Sequence, residues 1–192
     1  MKTATPPSAR RWTPFAAAAR RRYPQGLTCN AGCDGCCQRQ FSVWRLEAAA
    51  MRRAYEALPA APSARVRGRA LAYERRPPPL AAPCLFLEGG RCFIYEARPI
   101  ICRSQGLPLR SREIAAPDHL TWCPLNFKGF ALADFDPSAV LNLDTVNRLL
   151  AGLVREEEAE RSGATGSPGR RLTMTDIVLR PERCEPLAVK EG

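Results

Sequence analysis

No run of apolar residues in this 192-residue chain approaches the length needed to cross a membrane, and no segment repeats another. Large apolar side chains are few. Leu, Ile, Val and Phe together supply 39 residues, about a fifth of the chain. That is near the level at which burial alone struggles to offset the entropy of ordering. Alanine inflates the 45% hydrophobic fraction, so an ample aliphatic core is excluded and a covalent or metal staple would add much. Residues 1–26 carry no export signal. The Arg10-Arg11 pair is followed by only a five-residue run, Phe15 to Ala19, before Arg20, Arg21 and Arg22 interrupt it. A cytoplasmic location is therefore expected, where thiols stay reduced.

Lysine is nearly absent. Only Lys2, Lys128 and Lys190 occur, so 26 of the 29 basic residues are arginine. Together with abundant Ala, Pro and Gly, this bias accounts for much of the +10 formal charge without a nucleic-acid partner. Metal binding would also lower the sum, because each ligating thiol gives up a proton. Eight thiolates and two divalent ions contribute roughly −4.

Cysteine is what the chain has in excess. Four of nine fall within nine residues, at Cys29, Cys33, Cys36 and Cys37, and Cys84, Cys92, Cys102 and Cys123 follow. Two halves of four is the count that tetrahedral sulfur sites prefer, for zinc and for iron–sulfur clusters alike. An odd total in a reducing compartment fits a disulfide framework badly, so clustered cysteines read as metal ligands. Gly32 and Gly35 allow tight backbone around the first group. Were the backbone extended at Cys36 and Cys37, their side chains would diverge, and either they would serve different sites or only one would ligate. The second half is spaced too widely for a simple ribbon, so ligands are expected from both halves, clamping segments distant in sequence. Cys184 lies apart and reads as an incidental thiol. His119, the single histidine, reads as a surface or hydrogen-bonding residue.

The expected fold is a small, irregular α+β domain stapled by metal, with short strands, a hairpin and several helices around a cysteine-rich centre. Residues 1–26 read as a polar basic arm, helical from Thr13 to Arg22; residues 27–161 as the metal-binding domain; residues 162–192 as a flexible linker and tail. Phe41 to Trp44 reads as a strand. A helix is expected over Arg45 to Leu58, with Leu46, Ala50, Ala54 and Leu58 on its apolar face and ended by Pro59 and Pro62. A second follows from Ser63 to Glu74. Glu88-Gly89-Gly90-Arg91 marks a hairpin. Asp136-Pro137 is a helix start, and Leu143, Val146, Leu150, Leu153 and Val154 give a helical stripe. Residues 170–192 look peripheral, with a strand from Leu172 to Leu179.

The stretches "CNAGCDGCC" and "PCLFLEGGRCFIYEARPIICR" resemble the YkgJ-type cysteine-cluster family, described as zinc- or iron-chelating. The family pattern is matched by Cys29, Cys33, Cys36 and Cys37, by Cys84-Leu85-Phe86-Leu87, and by Cys92-Phe93-Ile94-Tyr95, Arg98-Pro99 and Cys102-Arg103. Leu85 replaces a frequent proline. Cys123 completes eight. The resemblance implies that these eight cysteines hold zinc or iron, including the option of a 4Fe–4S cluster. Arg98 and Arg103, which flank a proposed ligand, can donate hydrogen bonds toward sulfur. Tyr95 reads as packing.

Two alternatives belong to other classes. Cys29-x3-Cys33-x2-Cys36 matches the spacing with which radical S-adenosylmethionine enzymes hold a cluster, and flagellin lysine N-methylases resemble this family, so an iron–sulfur protein-lysine methyltransferase is the enzymatic reading. Gly35 stands where an aromatic residue is usual, and the alternating strands and helices of a partial barrel are missing. A zinc module binding nucleic acid would use Arg52, Arg53, Arg65, Arg67, Arg69, Arg75 and Arg76. Few aromatics interleave with them.

Overall fold

The computed structural model describes residues 14–162 and 170–184. The expectations for residues 1–13, 163–169 and 185–192 fall outside the described residues. In chain order the helices are α1 (Pro14–Arg22), α2 (Arg45–Glu56), α3 (Ala60–Arg75), α4 (Ile100–Ser104), α5 (Leu143–Ser162) and α6 (Met174–Leu179). The strands have two residues each: β1 (Ser42–Val43), β2 (Leu87–Glu88), β3 (Arg91–Cys92), β4 (Leu109–Arg110), β5 (Leu120–Thr121), β6 (Leu141–Asn142) and β7 (Leu172–Thr173). The fold is a small mixture of helices and short strands with no closed sheet. Among the described residues, no helix is long and apolar enough to cross a membrane. Two compact units form: an aromatic one from residues 14–33 and 103–144, and an aliphatic one from residues 34–102, 145–162 and 170–184.

The aliphatic unit is organised by α2, α3 and α6. Its fully buried side chains include Val43, Met51, Val66, Leu85, Phe86, Met174 and Ile177. Helix α2 starts where Glu47 reaches back to the Trp44 amide at 3.4 Å, and the same carboxylate accepts the Ile100 N–H at 2.8 Å. Its buried face is Ala48, Met51 and Tyr55, not the Leu46-Ala50-Ala54-Leu58 row. Leu46 is 40% exposed, because the helix turns the face that carries the bulky Met51 and Tyr55 toward the core. Pro62 does not help to end α2. It sits in the first turn of α3, where a missing N–H costs nothing, so that helix begins before Ser63. On α5, Leu150 and Val154 are buried while Leu153 is exposed.

Of the segment expected to be peripheral, Leu172, Met174, Ile177, Val178 and Cys184 are part of this core. Strand β7 pairs antiparallel with β1, matching Val43 to Leu172, and the strand expected to run to Leu179 stops at Thr173. The reason is a capping box. Thr173 Oγ1 accepts from the Asp176 N–H at 3.0 Å, and Asp176 Oδ2 accepts from the Thr173 N–H at 3.0 Å. At the other end of α6, Arg52 donates to the Ile177 and Val178 carbonyls at 3.1 and 2.7 Å, satisfying groups a helix leaves open. Arg180 and Arg183 both donate to Asp176 Oδ1. Arg65 and Arg69 pair with Glu88 at 2.9 and 3.1 Å. Three of the seven arginines considered for a nucleic-acid face, Arg52, Arg65 and Arg69, thereby have partners within the unit.

The aromatic unit is built differently. Helix α1 buries Ala16 and Ala19 and delivers Tyr23 into a cluster of rings. Tyr23 meets Phe127, Phe130 and Phe135 edge-on at 5.7 to 5.9 Å, and Trp122 lies 4.7 Å from Phe135. Gly26 is obligatory there, since a Cβ would stand 2.6 Å from the Phe127 ring. A three-stranded sheet, with β4 antiparallel to β5 and parallel to β6, closes one side. Asp136 caps a turn as expected, accepting from the Ser138 N–H at 2.9 Å. That turn is a single 3-10 turn over Pro137–Ala139, however, and the long helix α5 begins only at Leu143, after β6.

Candidate metal centre

The aliphatic unit brings five cysteines toward one another. Gly35–Cys37 forms a 3-10 turn, started by Asp34, whose carbonyl accepts the Cys37 N–H at 2.7 Å. The backbone is therefore not extended at Cys36 and Cys37, and their side chains do not part: the two thiols hydrogen-bond to each other. The Cys37 carbonyl then accepts the Cys84 N–H at 2.8 Å, bridging the first and second cysteine groups. Gln40 reinforces that seam by donating to the Ala82 and Pro83 carbonyls at 3.1 and 2.7 Å.

Cys92 comes from the β2–β3 hairpin, in register with Leu87, with its turn at Gly89 and Gly90 as the sequence suggests. Cys102 comes from α4, where its N–H is bonded to the carbonyl of buried Pro99 at 3.0 Å.

The electrostatics of these thiols describe a common neighbourhood. Burial pushes Cys84 up to about 11, with Cys92 adding to the rise and the Arg69 charge opposing it. Cys102 is pushed well above the ordinary thiol range, by burial first and then by Cys84 and Cys92. Cys92 is raised by burial and lowered in part by Arg98. Within the adjacent pair, Cys36 donates its S–H to Cys37, which raises Cys36 and holds Cys37 below the ordinary value. Cys84, Cys92 and Cys102 each work against that lowering of Cys37. Arg98 supplies the compensating positive charge to Cys36, Cys92 and Cys102. Its guanidinium lies 3.5 Å above the Tyr95 ring, and its Nε donates to the Tyr95 carbonyl at 3.0 Å. Arg98 thus acts on these thiols through its charge, and Tyr95 is the platform that holds it.

Three of the eight cysteines lie in the aromatic unit, as does the sole histidine. Asn126 ties two of the cysteines together across 94 residues of sequence. Its backbone N–H is bonded to the Cys123 carbonyl at 2.9 Å, and its side-chain amide donates to the Cys29 sulfur at 3.2 Å. Gly32, with φ of +93°, provides the left-handed step that leads into Cys33, whose N–H is bonded to Asn30 O at 3.2 Å. His119 is exposed, with Nδ1 3.1 Å from the Ile114 carbonyl, in keeping with a hydrogen-bonding histidine. Cys184 is buried in the aliphatic core, 3.8 Å from the Arg180 carbonyl, and the charged groups acting on it are Arg52, Asp176, Glu182 and Glu56, not other thiols.

A donor set made almost wholly of sulfur fits zinc and iron, which are soft enough to prefer thiolates, and fits magnesium or calcium poorly. Buried thiols with mutually raised proton affinities fit the same conclusion, because a cation placed among them would replace their protons. Among the described residues, no three His, Cys, Asp or Glu side chains are already arranged as the shell of an ion. Asn126 and Gly106, which contact Cys29, carried no recognisable pattern in the sequence.

No curated protein and no solved structure is similar enough to the chain to match it. A family model does match, over residues 28–123, half of the chain: CxxCxxCC, described as a "putative zinc- or iron-chelating domain". The matched span takes in all eight clustered cysteines and stops short of Cys184, and the chain belongs to this CxxCxxCC family.

Proposed function

We propose that the protein chelates zinc or iron through its cysteine thiolates, in two sulfur groups. Cys36, Cys37, Cys84, Cys92 and Cys102 supply the group of the aliphatic unit, and Cys29, Cys33 and Cys123 that of the aromatic unit. The observation that carries this reading is the placement of Cys37, Cys84, Cys92 and Cys102 in one unit, with the Cys84 N–H bonded to the Cys37 carbonyl at 2.8 Å. They come from four separate segments, yet the proton equilibria of the four are linked to one another. Bound zinc would supply a tetrahedral anchor, and iron the same anchor or a 4Fe–4S cluster. The chain's own residues do the rest. Arg98 offsets the thiolate charge, the Cys84–Cys37 backbone bond fixes the seam, and the buried position of Cys84 shields that end of the group from water. A reducing compartment such as the cytoplasm would keep the thiols free to bind.

Metal analysis and a visible spectrum of the anaerobically purified chain test this. Zinc or iron should co-purify in stoichiometric amount, and Cys84→Ser or Cys102→Ser should lose metal that Cys184→Ser retains. Equal metal content in all three variants would overturn the assignment.

A further inference from the structure

We propose that Asn126 is a positioning residue for the sulfur site of the aromatic unit, holding the Cys29 sulfur through a side-chain N–H···S hydrogen bond while its backbone fixes Cys123. The proposal rests on the chelating function above and goes beyond it, since Asn126 lies past the residues that the family model matches.

Asn126 is 1% exposed, and each part of its amide is used. Oδ1 accepts from the Thr28 N–H at 3.0 Å and lies 2.9 Å from the Thr28 hydroxyl, which is equally close to the Leu125 carbonyl. It stands 3.6 Å from Cys29 Sγ, farther than Nδ2 does. Nδ2 donates to the Gly106 carbonyl at 2.7 Å and to Cys29 Sγ at 3.2 Å. These partners settle the orientation of the amide. Turning it over would set N–H against N–H at Thr28 and oxygen against oxygen at Gly106. One N–H is therefore committed to sulfur, in a place where a buried donor needs a partner.

Space is reserved for that contact as well. Gly106 has φ of +87°, and a Cβ there would stand 2.7 Å from Cys29 Sγ and 2.9 Å from Asn126 Nδ2. Only glycine lets the backbone pass so close to the sulfur. A purely architectural asparagine would need Thr28 and Gly106 alone. The contact to sulfur gains strength when sulfur carries negative charge, as a metal ligand does, because an N–H donated to an ionised acceptor is the stronger bond. Groups that donate to metal ligands in this way typically change metal affinity by roughly ten- to a hundredfold when removed.

The test loads the full chain anaerobically with Co2+ as a spectroscopic substitute for zinc. It follows metal release to a chromophoric chelator in the native protein, Asn126→Ala, Cys29→Ser and the double variant. Asn126→Ala should speed release of one class of metal by roughly tenfold or more and shift the sulfur-to-cobalt absorption band. In the Cys29→Ser background the same change should add nothing. An additive effect with an unmoved band makes Asn126 architectural and overturns the proposal. If Cys29→Ser itself leaves metal content and release unchanged, the sulfur site of this unit falls, and the proposal with it. A second measurement needs no variant. In the native chain loaded with 113Cd, the Asn126 side-chain amide proton should couple to cadmium through the hydrogen bond. Absence of that coupling in a Cd-loaded, folded protein overturns the proposal even if Asn126→Ala fails to fold.

Discussion

The aliphatic unit packs Val43, Met51, Val66, Leu85, Phe86 and Ile177 among helices, two of them 12 and 16 residues long, whereas the aromatic unit has one nine-residue helix and a cluster of five rings. In the first, helices satisfy most backbone groups by themselves, and side chains are needed mainly at their ends, as with Glu47, Arg52 and Thr173. In the second, side chains do much of that work along the whole path. Tyr23 OH accepts the Asp136 N–H at 2.6 Å, Asp144 accepts the Arg112 N–H at 3.1 Å, and Asn126 serves Thr28 and Gly106. A loop-built unit of this kind has few local interactions to hold it when a cross-link is lost. The two units should differ most in how far they depend on metal.

Stripping the metal under reducing, anaerobic conditions should have the largest effect. Binding energy at thiolate sites, on the order of 10 kcal/mol, becomes folding energy where the site is structural. Hydrogen exchange should then show residues 26–33 and 103–127 losing protection, while α2 and α3 keep a larger share of theirs. Uniform loss in both units, or none in either after complete removal, would break the distinction.

Paired ring deletions sharpen it. Phe127→Ala and Phe86→Ala should each destabilise by about 3–5 kcal/mol, the usual range for a buried phenylalanine. Phe127 donates its N–H to the Gly26 carbonyl at 2.7 Å, three residues before Cys29, so its loss should also reduce metal held by the aromatic unit. Phe86 touches the Tyr55 ring, and its carbonyl accepts the Phe93 N–H beside Cys92, so its metal deficit should appear in the aliphatic unit instead. Equal metal loss from both groups in both variants would show that the units do not act separately.

The smallest of these effects concerns Asp176. Burial works to raise its carboxyl, but the Thr173 N–H and hydroxyl and the charges of Arg183 and Arg180 outweigh it and hold the group below its ordinary value of 3.8. A depressed folded value means stability that is present above the ordinary value and lost as pH falls through the folded one. Asp176→Asn should cost about 2 kcal/mol near neutrality, through the weakened cap and the loss of a charged partner for Arg183 and Arg180, the latter keeping Glu74. The gap from the native protein should hold constant down to about pH 5 and narrow in acid. A gap independent of pH throughout would assign the effect to packing.

How much of this was legible in the sequence differs with the physics involved. The hairpin at Gly89-Gly90, the Asp136 cap and α1 rest on local rules, and the structure places them accordingly. The apolar row of α2 was misjudged because every-fourth-residue alanines compete with larger side chains at Met51 and Tyr55, and volume decided. The strand drawn to Leu179 failed because apolar density masked the Thr173–Asp176 capping pattern. Which cysteines meet, and that Asn126 and Gly106 attend one of them, depends on contacts between residues 20 to 98 apart, for which a single sequence carries no periodic signal.

Cys184 has a practical consequence as a built-in clock. The residue is 1% exposed among the side chains that α6 presses into the aliphatic core, and burial pushes its thiol up to about 11. An alkylating reagent can reach it only when that core opens. If the other eight thiols hold metal as proposed, they become available as it departs. Mass-resolved alkylation of one untouched sample therefore reports two separate events, demetallation from the eight and opening of the core from the ninth, without a dye, a tag or a substitution.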